Sequence, residues 1–272
     1  MPKFAANLTM LFTEVPFLDR FAAAADAGFA GVEFLFPYNY AAAEIAERLA
    51  TSGLMLVLHN LPAGDWAAGE RGIASHPDRI AEFRSGIARA IDYASALRCP
   101  RVNCLAGILP AATSSQVARA TLVDNLRYAA EALDTWGIEL LLEPVNSRDI
   151  PGFFVDRPRQ AFEIIADVGS DNLKLQYDVY HAQVMDGDLA LTIETEFARI
   201  GHLQIADNPG RHEPGTGEIN YPFLFDRIDE LGYAGWIGCE YKPRATTTVG
   251  LNWLPNGARR SPTFAGTREA HE

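Results

Sequence analysis

Eight short apolar runs, separated by seven longer helix-like stretches, constrain this chain more than any other feature of its sequence. The runs fall at 4–8, 31–36, 54–59, 101–105, 138–143, 173–178, 200–206 and 235–241. Each has the length of a buried strand. Amphipathic patterns lie between them at 16–27, 41–50, 77–97, 114–136, 158–168, 188–198 and 221–231. Gly28, Gly53, Gly137, Gly169 and Gly232 follow five of these patterns, where a helix C-cap favours glycine.

Strands alternating with helices give βαβ units and a parallel sheet. Eight strands can close into a single (β/α)8 TIM barrel, a fold of about 250 residues, and the chain has 272. The rival is an open doubly wound sheet. That fold usually carries G-x-G-x-x-G after its first strand, whereas this chain reads Asn7-Leu8-Thr9-Met10 there. Two long, charged, turn-rich loops, 60–72 and 208–218, follow strands three and seven; loops of this kind are commonly functional. The barrel domain is expected over 1–254. The polar tail at 255–272, PNGARRSPTFAGTREAHE, is expected to be disordered.

The net charge of −12 argues against a nucleic-acid partner, which needs a basic face. No apolar run approaches a membrane span. The opening MPKFAANLTMLF lacks a signal-peptide layout, so the cytoplasm is the expected compartment. Cys99, Cys104 and Cys239 form no C-x-x-C pair and read as reduced, buried side chains. The oligomeric state is open, a homo-oligomer included.

Chemistry in such a barrel sits at the C-terminal ends of the strands. Those ends read Asn7, Glu33, His59, Asn103, Glu143, Asp178, Gln204 with Asp207, and Glu240. Residues two apart on a strand share a face. Glu143, Asp178, Gln204 and Glu240 can therefore converge at the barrel mouth. Three carboxylates without a neutralising ion would repel one another, and few basic residues stand at these ends to pair with them. A divalent cation resolves the conflict. An all-oxygen donor set of Glu143, Asp178, Gln204 and Glu240 favours Mg2+ or Mn2+ over Zn2+. The blander reading is that a strand-end carboxylate caps a loop or pairs with Lys or Arg. By that reading Glu33 is structural and His202 is a satisfied core histidine.

The most specific stretches are FAANLTMLF near the start, LHNLPAGDWAAGERGIA at 58–74, LLEPVN at 141–146, QYDVYH at 176–181, GHLQIADNP at 201–209, EPGTGEINY at 213–221 and GCEYKP at 238–243. On these stretches the chain closely resembles the hydroxypyruvate isomerase family, with the similarity running from about Lys3 to Trp253. That family sits within the xylose isomerase-like barrels, beside sugar epimerases and zinc apurinic endonucleases. The resemblance implies that Glu143 and Glu240 are the proton donor and acceptor. It also implies that Glu143, Asp178, Gln204 and Glu240 hold the metal, and that His181 hydrogen-bonds a substrate oxygen.

Many relatives place histidine where Gln204 stands. The nucleases carry further histidines near Asn103, so a multi-zinc nuclease site does not fit this chain. The implied substrate is a small hydroxy-oxo acid. Its carboxylate would meet Arg71, Lys242 or Arg211, with His59 or Asn103 as neutral donors and the Trp66 loop excluding water. A four-carbon 2-oxo-tetronate isomerase is the nearest alternative. A sugar epimerase, an apurinic endonuclease and a non-catalytic sugar-acid binding barrel fit less well.

Overall fold

The computed structural model describes residues 2–254; the tail at 255–272 lies outside the described residues. Eight parallel strands close into a barrel in chain order. They are β1 (Lys3–Asn7), β2 (Gly31–Glu33), β3 (Met55–Asn60), β4 (Arg101–Leu105), β5 (Glu139–Glu143), β6 (Leu173–Asp178), β7 (Ile200–Ile205) and β8 (Trp236–Cys239). The helices are α1 (Arg20–Asp26), α2 (Ala42–Ser52), α3 (Ile80–Leu97), α4 (Ser115–Asp134), α5 (Pro158–Val168), α6 (Val179–Met185), α7 (Leu189–Thr195) and α8 (Tyr221–Glu230). No helix among the described residues is long and apolar enough to cross a membrane.

The predicted strands all form, and the closed sheet excludes the doubly wound alternative. The sequence reading missed one helix, α6. Asp178 both ends β6 and N-caps α6, its Oδ1 accepting from Tyr180 N at 2.8 Å, so no loop separates the two elements. A helix entered straight from a strand lacks the punctuation that a pattern reading uses.

The outer core is the helix stripes packed on the barrel wall. On α3 the stripe is Phe83, Ile87, Ala90, Ala94 and Leu97, spaced to face one side. Inside the barrel, the lower half is closed by Ala5, Val57, Leu58 and Leu141, with Trp236 packed against them. This plug is apolar, as barrel interiors usually are. Above it the axis turns polar. The register places Asp178 beside Gln204 and Gln204 beside Gly238, aligning side chains from three adjacent strands at one height.

Candidate active site

Glu33 occupies the centre of the polar layer. Its Oε1 accepts from Asn7 Nδ2 at 3.0 Å and from Gln204 Nε2 at 2.7 Å, and its Oε2 meets His202 Nε2 at 2.7 Å. A carboxylate only accepts, so it turns the amide nitrogen of Gln204 toward itself. The Gln204 oxygen is left facing away, where it accepts from Gln176 Nε2 at 2.6 Å. Position 238 must be glycine for this layer to form: a Cβ there would stand 2.3 Å from Glu33 Oε1. His202 is thus a core histidine bound to Glu33, in agreement with the blander reading of that residue.

The mouth lies one layer higher. Glu143 and Glu240 line one cavity of about 220 Å3, together with His181, Gln204, Arg211 and Lys242. Glu143 Oε2 accepts from Asn103 Nδ2 at 2.7 Å. Burial, and then the neighbouring Asp178 carboxylate, push Glu143 up to about 8. Burial likewise pushes Asp178 up to about 6 against the opposing pull of Arg211. Glu240 is held well above the carboxylate range by burial, and there too Arg211 opposes the shift.

Ligand atoms of Glu143, Asp178 and His181 all lie within 4.8 Å of one another, and the three residues are buried. Asp178 Oδ2 is buried with no hydrogen-bond partner. The one positive group near it, the Arg211 guanidinium at 3.5 Å, is shared with Glu240, which leaves the three buried carboxylates in excess of cation. The cluster therefore fits a divalent cation.

Histidine 181 has a defined tautomer. The backbone N–H of Asn146 points at its Nδ1 from 3.3 Å, so Nδ1 accepts, and in the neutral ring Nε2 carries the proton. Burial, followed by Arg211 and Arg148, pushes the ring far below its ordinary range and keeps it neutral. Nε2 lies 3.4 Å from Asp178 Oδ2 and can donate to an oxygen in the cavity.

The expectation that few basic residues pair with the acidic ends is corrected by Arg211. Its Nη2 stands 3.1 Å from Glu240 Oε1 and 3.5 Å from Asp178 Oδ2. Burial works against its charge, but Glu240, Asp178 and Glu143 outweigh that and keep it protonated. Asp207 fixes the loop that delivers it. One Asp207 oxygen accepts from the N–H groups of Gly215, Thr216 and Gly217 at 2.9, 3.0 and 2.9 Å. Arg211 itself sits at φ +54, left-handed backbone that a non-glycine residue adopts at a cost of about 1 kcal/mol.

The structure brings Glu143, Glu240, Asp178, Gln204, His181, Asn103, Arg211 and Lys242 to one end of the barrel. It does not bring His59 or Arg71 there as substrate groups. His59 is fully buried, packs edge-on to Tyr38 with ring centroids 6.1 Å apart, and faces the helices rather than the axis. The cause is strand alternation: its neighbour Asn60 faces inward, bonded by Asn103 at 3.3 Å. Arg71 stacks over Trp66 at 4.2 Å and donates to the Trp66 and Glu70 carbonyls, so it braces a loop instead of facing the cavity. Asn103 supports Glu143 and does not line the cavity. Sequence reasoning missed Asn146, although it stands in the LLEPVN stretch, while Glu33, read as structural, is the hub of the layer below the mouth.

A closed eight-stranded barrel with buried acids and a neutral histidine at its C-terminal mouth defines a small-molecule enzyme of the (β/α)8 class. The chain matches the xylose isomerase-like TIM barrel family over residues 21–257. It is 58% identical over 254 residues to the hydroxypyruvate isomerase of Escherichia coli K12, covering 93% of this chain and 98% of that one. It is 52% identical over 254 residues to a 2-oxo-tetronate isomerase of Cupriavidus necator, with the same coverage. A crystal structure titled AP endonuclease, family 2, from Brucella melitensis superposes with a TM-score of 0.91 at 48% identity, covering 93% of this chain and 98% of that one. The chain belongs to the xylose isomerase-like TIM barrels and, within them, to the hydroxypyruvate isomerase family.

Proposed function

We propose that this chain interconverts hydroxypyruvate and tartronate semialdehyde by proton transfer between adjacent carbons through an enediolate. One observation carries the reading: two buried glutamates from β5 and the end of β8 line a single small cavity, in a chain 58% identical to a hydroxypyruvate isomerase. The cavity, about 220 Å3, falls below the roughly 300–1,000 Å3 typical of sites for drug-sized ligands. It suits a three- or four-carbon acid. A pocket of this size on an acidic chain does not suit a DNA-cleaving site.

In this reading one glutamate removes a proton from C3 of hydroxypyruvate and the other delivers a proton to C2. Both glutamates are buried at the edge of the cavity, where a carboxyl group can give or take a proton at a substrate carbon. The His181 Nε2–H donates to a substrate oxygen and helps hold the enediolate charge. Lys242 lines the cavity and pairs with no acid among the described residues. It is therefore the best-placed cation for the substrate carboxylate, while Arg211 is engaged by Glu240 and Asp178. Glu143, Asp178, Gln204 and Glu240 would hold Mg2+ or Mn2+, with Arg211 and the Gln176 amide shifting to release them. When bound, the ion offsets the clustered carboxylates and stabilises negative charge on substrate oxygens.

The test is a paired assay of the purified protein on hydroxypyruvate and 2-oxo-tetronate, with metal binding followed by calorimetry. The reading predicts turnover of hydroxypyruvate as the better substrate and a divalent site weakened in Asp178→Asn. Turnover of neither acid would overturn it.

A further inference from the structure

A second cavity lies against the first at the same rim. It measures about 620 Å3. Thr9, Leu35 and Trp66 line both cavities, so these three side chains form the partition. The cavities between α5 and α7 and beside Trp253 share no lining residue with the glutamate site. Any extension of a bound acid beyond its own cavity therefore has one roomy direction among those described, through the partition.

Trp66 is the largest of the three, and several contacts hold it in place. Phe36 packs on one side with ring centroids 4.9 Å apart, and the Arg71 guanidinium lies over the indole at 4.2 Å. Arg71 also donates to the carbonyl of Trp66 at 3.0 Å and to that of Glu70 at 2.7 Å. The loop is closed at its base by the Gly72 N–H, which donates to the Ala63 carbonyl at 3.0 Å. Gly72 cannot move outward or carry a side chain. Its φ is +120°, and a Cβ there would meet the Leu105 carbonyl at 2.4 Å. This much fixation around an aromatic side chain with no part in proton transfer points to a shape-setting role. Beyond it, Arg20, Arg89, Asn39 and Asp65 line the second cavity, groups able to hydrogen-bond hydroxyls.

We propose that Trp66, held by Phe36 and Arg71, sets the length of acid that the enzyme accepts. The cavity behind it is a latent subsite for the distal hydroxylated carbons of longer 2-oxo acids. The inference rests on the isomerase reading above and assigns that site's substrate range to one side chain.

The experiment measures kcat/KM for hydroxypyruvate and for 2-oxo-tetronate in the wild type, Trp66→Leu, Trp66→Ala and Arg71→Met. Circular dichroism and Tm establish folding. One carbon in a shaped pocket changes discrimination by about tenfold or more, so the four-carbon to three-carbon ratio should rise by about tenfold in Trp66→Ala. Arg71→Met leaves both cavity linings intact and removes the stacking cation together with its hydrogen bonds to the Trp66 and Glu70 carbonyls. It should move the ratio the same way by about threefold or more, an exposed cation–π contact alone accounting for about threefold. A folded Trp66→Ala whose ratio stays at the wild-type value overturns the proposal. Should both Trp66 variants fail to fold, an unmoved ratio in Arg71→Met overturns it instead. A wild type that turns over neither acid would sink the isomerase reading, a result distinct from an unmoved ratio.

Discussion

Glu139 and Glu143 stand at opposite ends of one strand, β5, and meet opposite surroundings. Glu139, at the N-terminal pole, is bracketed by Arg101 at 3.0 Å and Lys174 at 2.9 Å, with part of its side chain in water. Glu143, at the mouth, is buried with a neutral amide as its hydrogen-bond partner and a second carboxylate nearby. The same residue type is satisfied at one pole and frustrated at the other. Below, the barrel is closed by aliphatic side chains and paired charge, an arrangement that serves stability. Above, it gathers three buried carboxylates around the single guanidinium of Arg211, an excess of buried acid that costs stability and is the signature of a site.

Replacing each glutamate tests that contrast most sharply. Glu143→Gln should lower isomerase turnover by about 10²- to 10⁴-fold, the range of a lost general acid or base. Its Tm in chelator should hold or rise, because the glutamine keeps the shape and the hydrogen bond with Asn103 while removing a carboxyl group crowded against Asp178. A loss of stability with normal turnover would reverse the contrast.

His59 separates wall from mouth. Burial pushes it from 6.5 down to about 4. Above 6.5 the ring is neutral both folded and unfolded. As pH falls from 6.5 toward 4, the unfolded chain takes up a proton that the folded chain refuses, so stability is lost across that window. The full loss is about 3 kcal/mol. Urea titrations at stepped pH should show it, and His59→Gln should flatten that limb with kcat little changed. A large fall in kcat would return His59 to the mouth.

Gly238→Ala probes the layer between the two poles. Its methyl would press on the Glu33 carboxylate, and overpacking of this kind costs about 1–3 kcal/mol. Denaturant midpoints should fall accordingly, and turnover should fall with them because Gln204 hangs from Glu33. The smallest effect belongs to Glu139→Gln. Loss of partly exposed ion pairs should change stability by about 0.5 kcal/mol and leave turnover near wild type.

Strand number, strand ends and the acidic mouth were legible in the sequence, because period-two alternation and a polar residue at run after run leave a local mark. Arg211 was not. It arrives from an irregular loop whose course is set by Asp207 collecting backbone N–H groups, and no periodicity encodes that path. His59 was misplaced for a related reason. A polar residue at a strand end can face either side, and only the inward position of Asn60 decides which. The tautomer of His181 depends on the Asn146 N–H, a contact between residues 35 apart that no spacing rule anticipates.

The central claim is that Glu143 and Glu240 move protons between the substrate and solvent-exchangeable sites. Isomerisation of hydroxypyruvate in D2O, followed by proton NMR, tests it directly. The account predicts deuterium at C2 of tartronate semialdehyde made by the wild type, and no appreciable product from Glu143→Gln or Glu240→Gln. Product that keeps the original C3 hydrogen at C2 without solvent label, formed at undiminished rate by either variant, would contradict it.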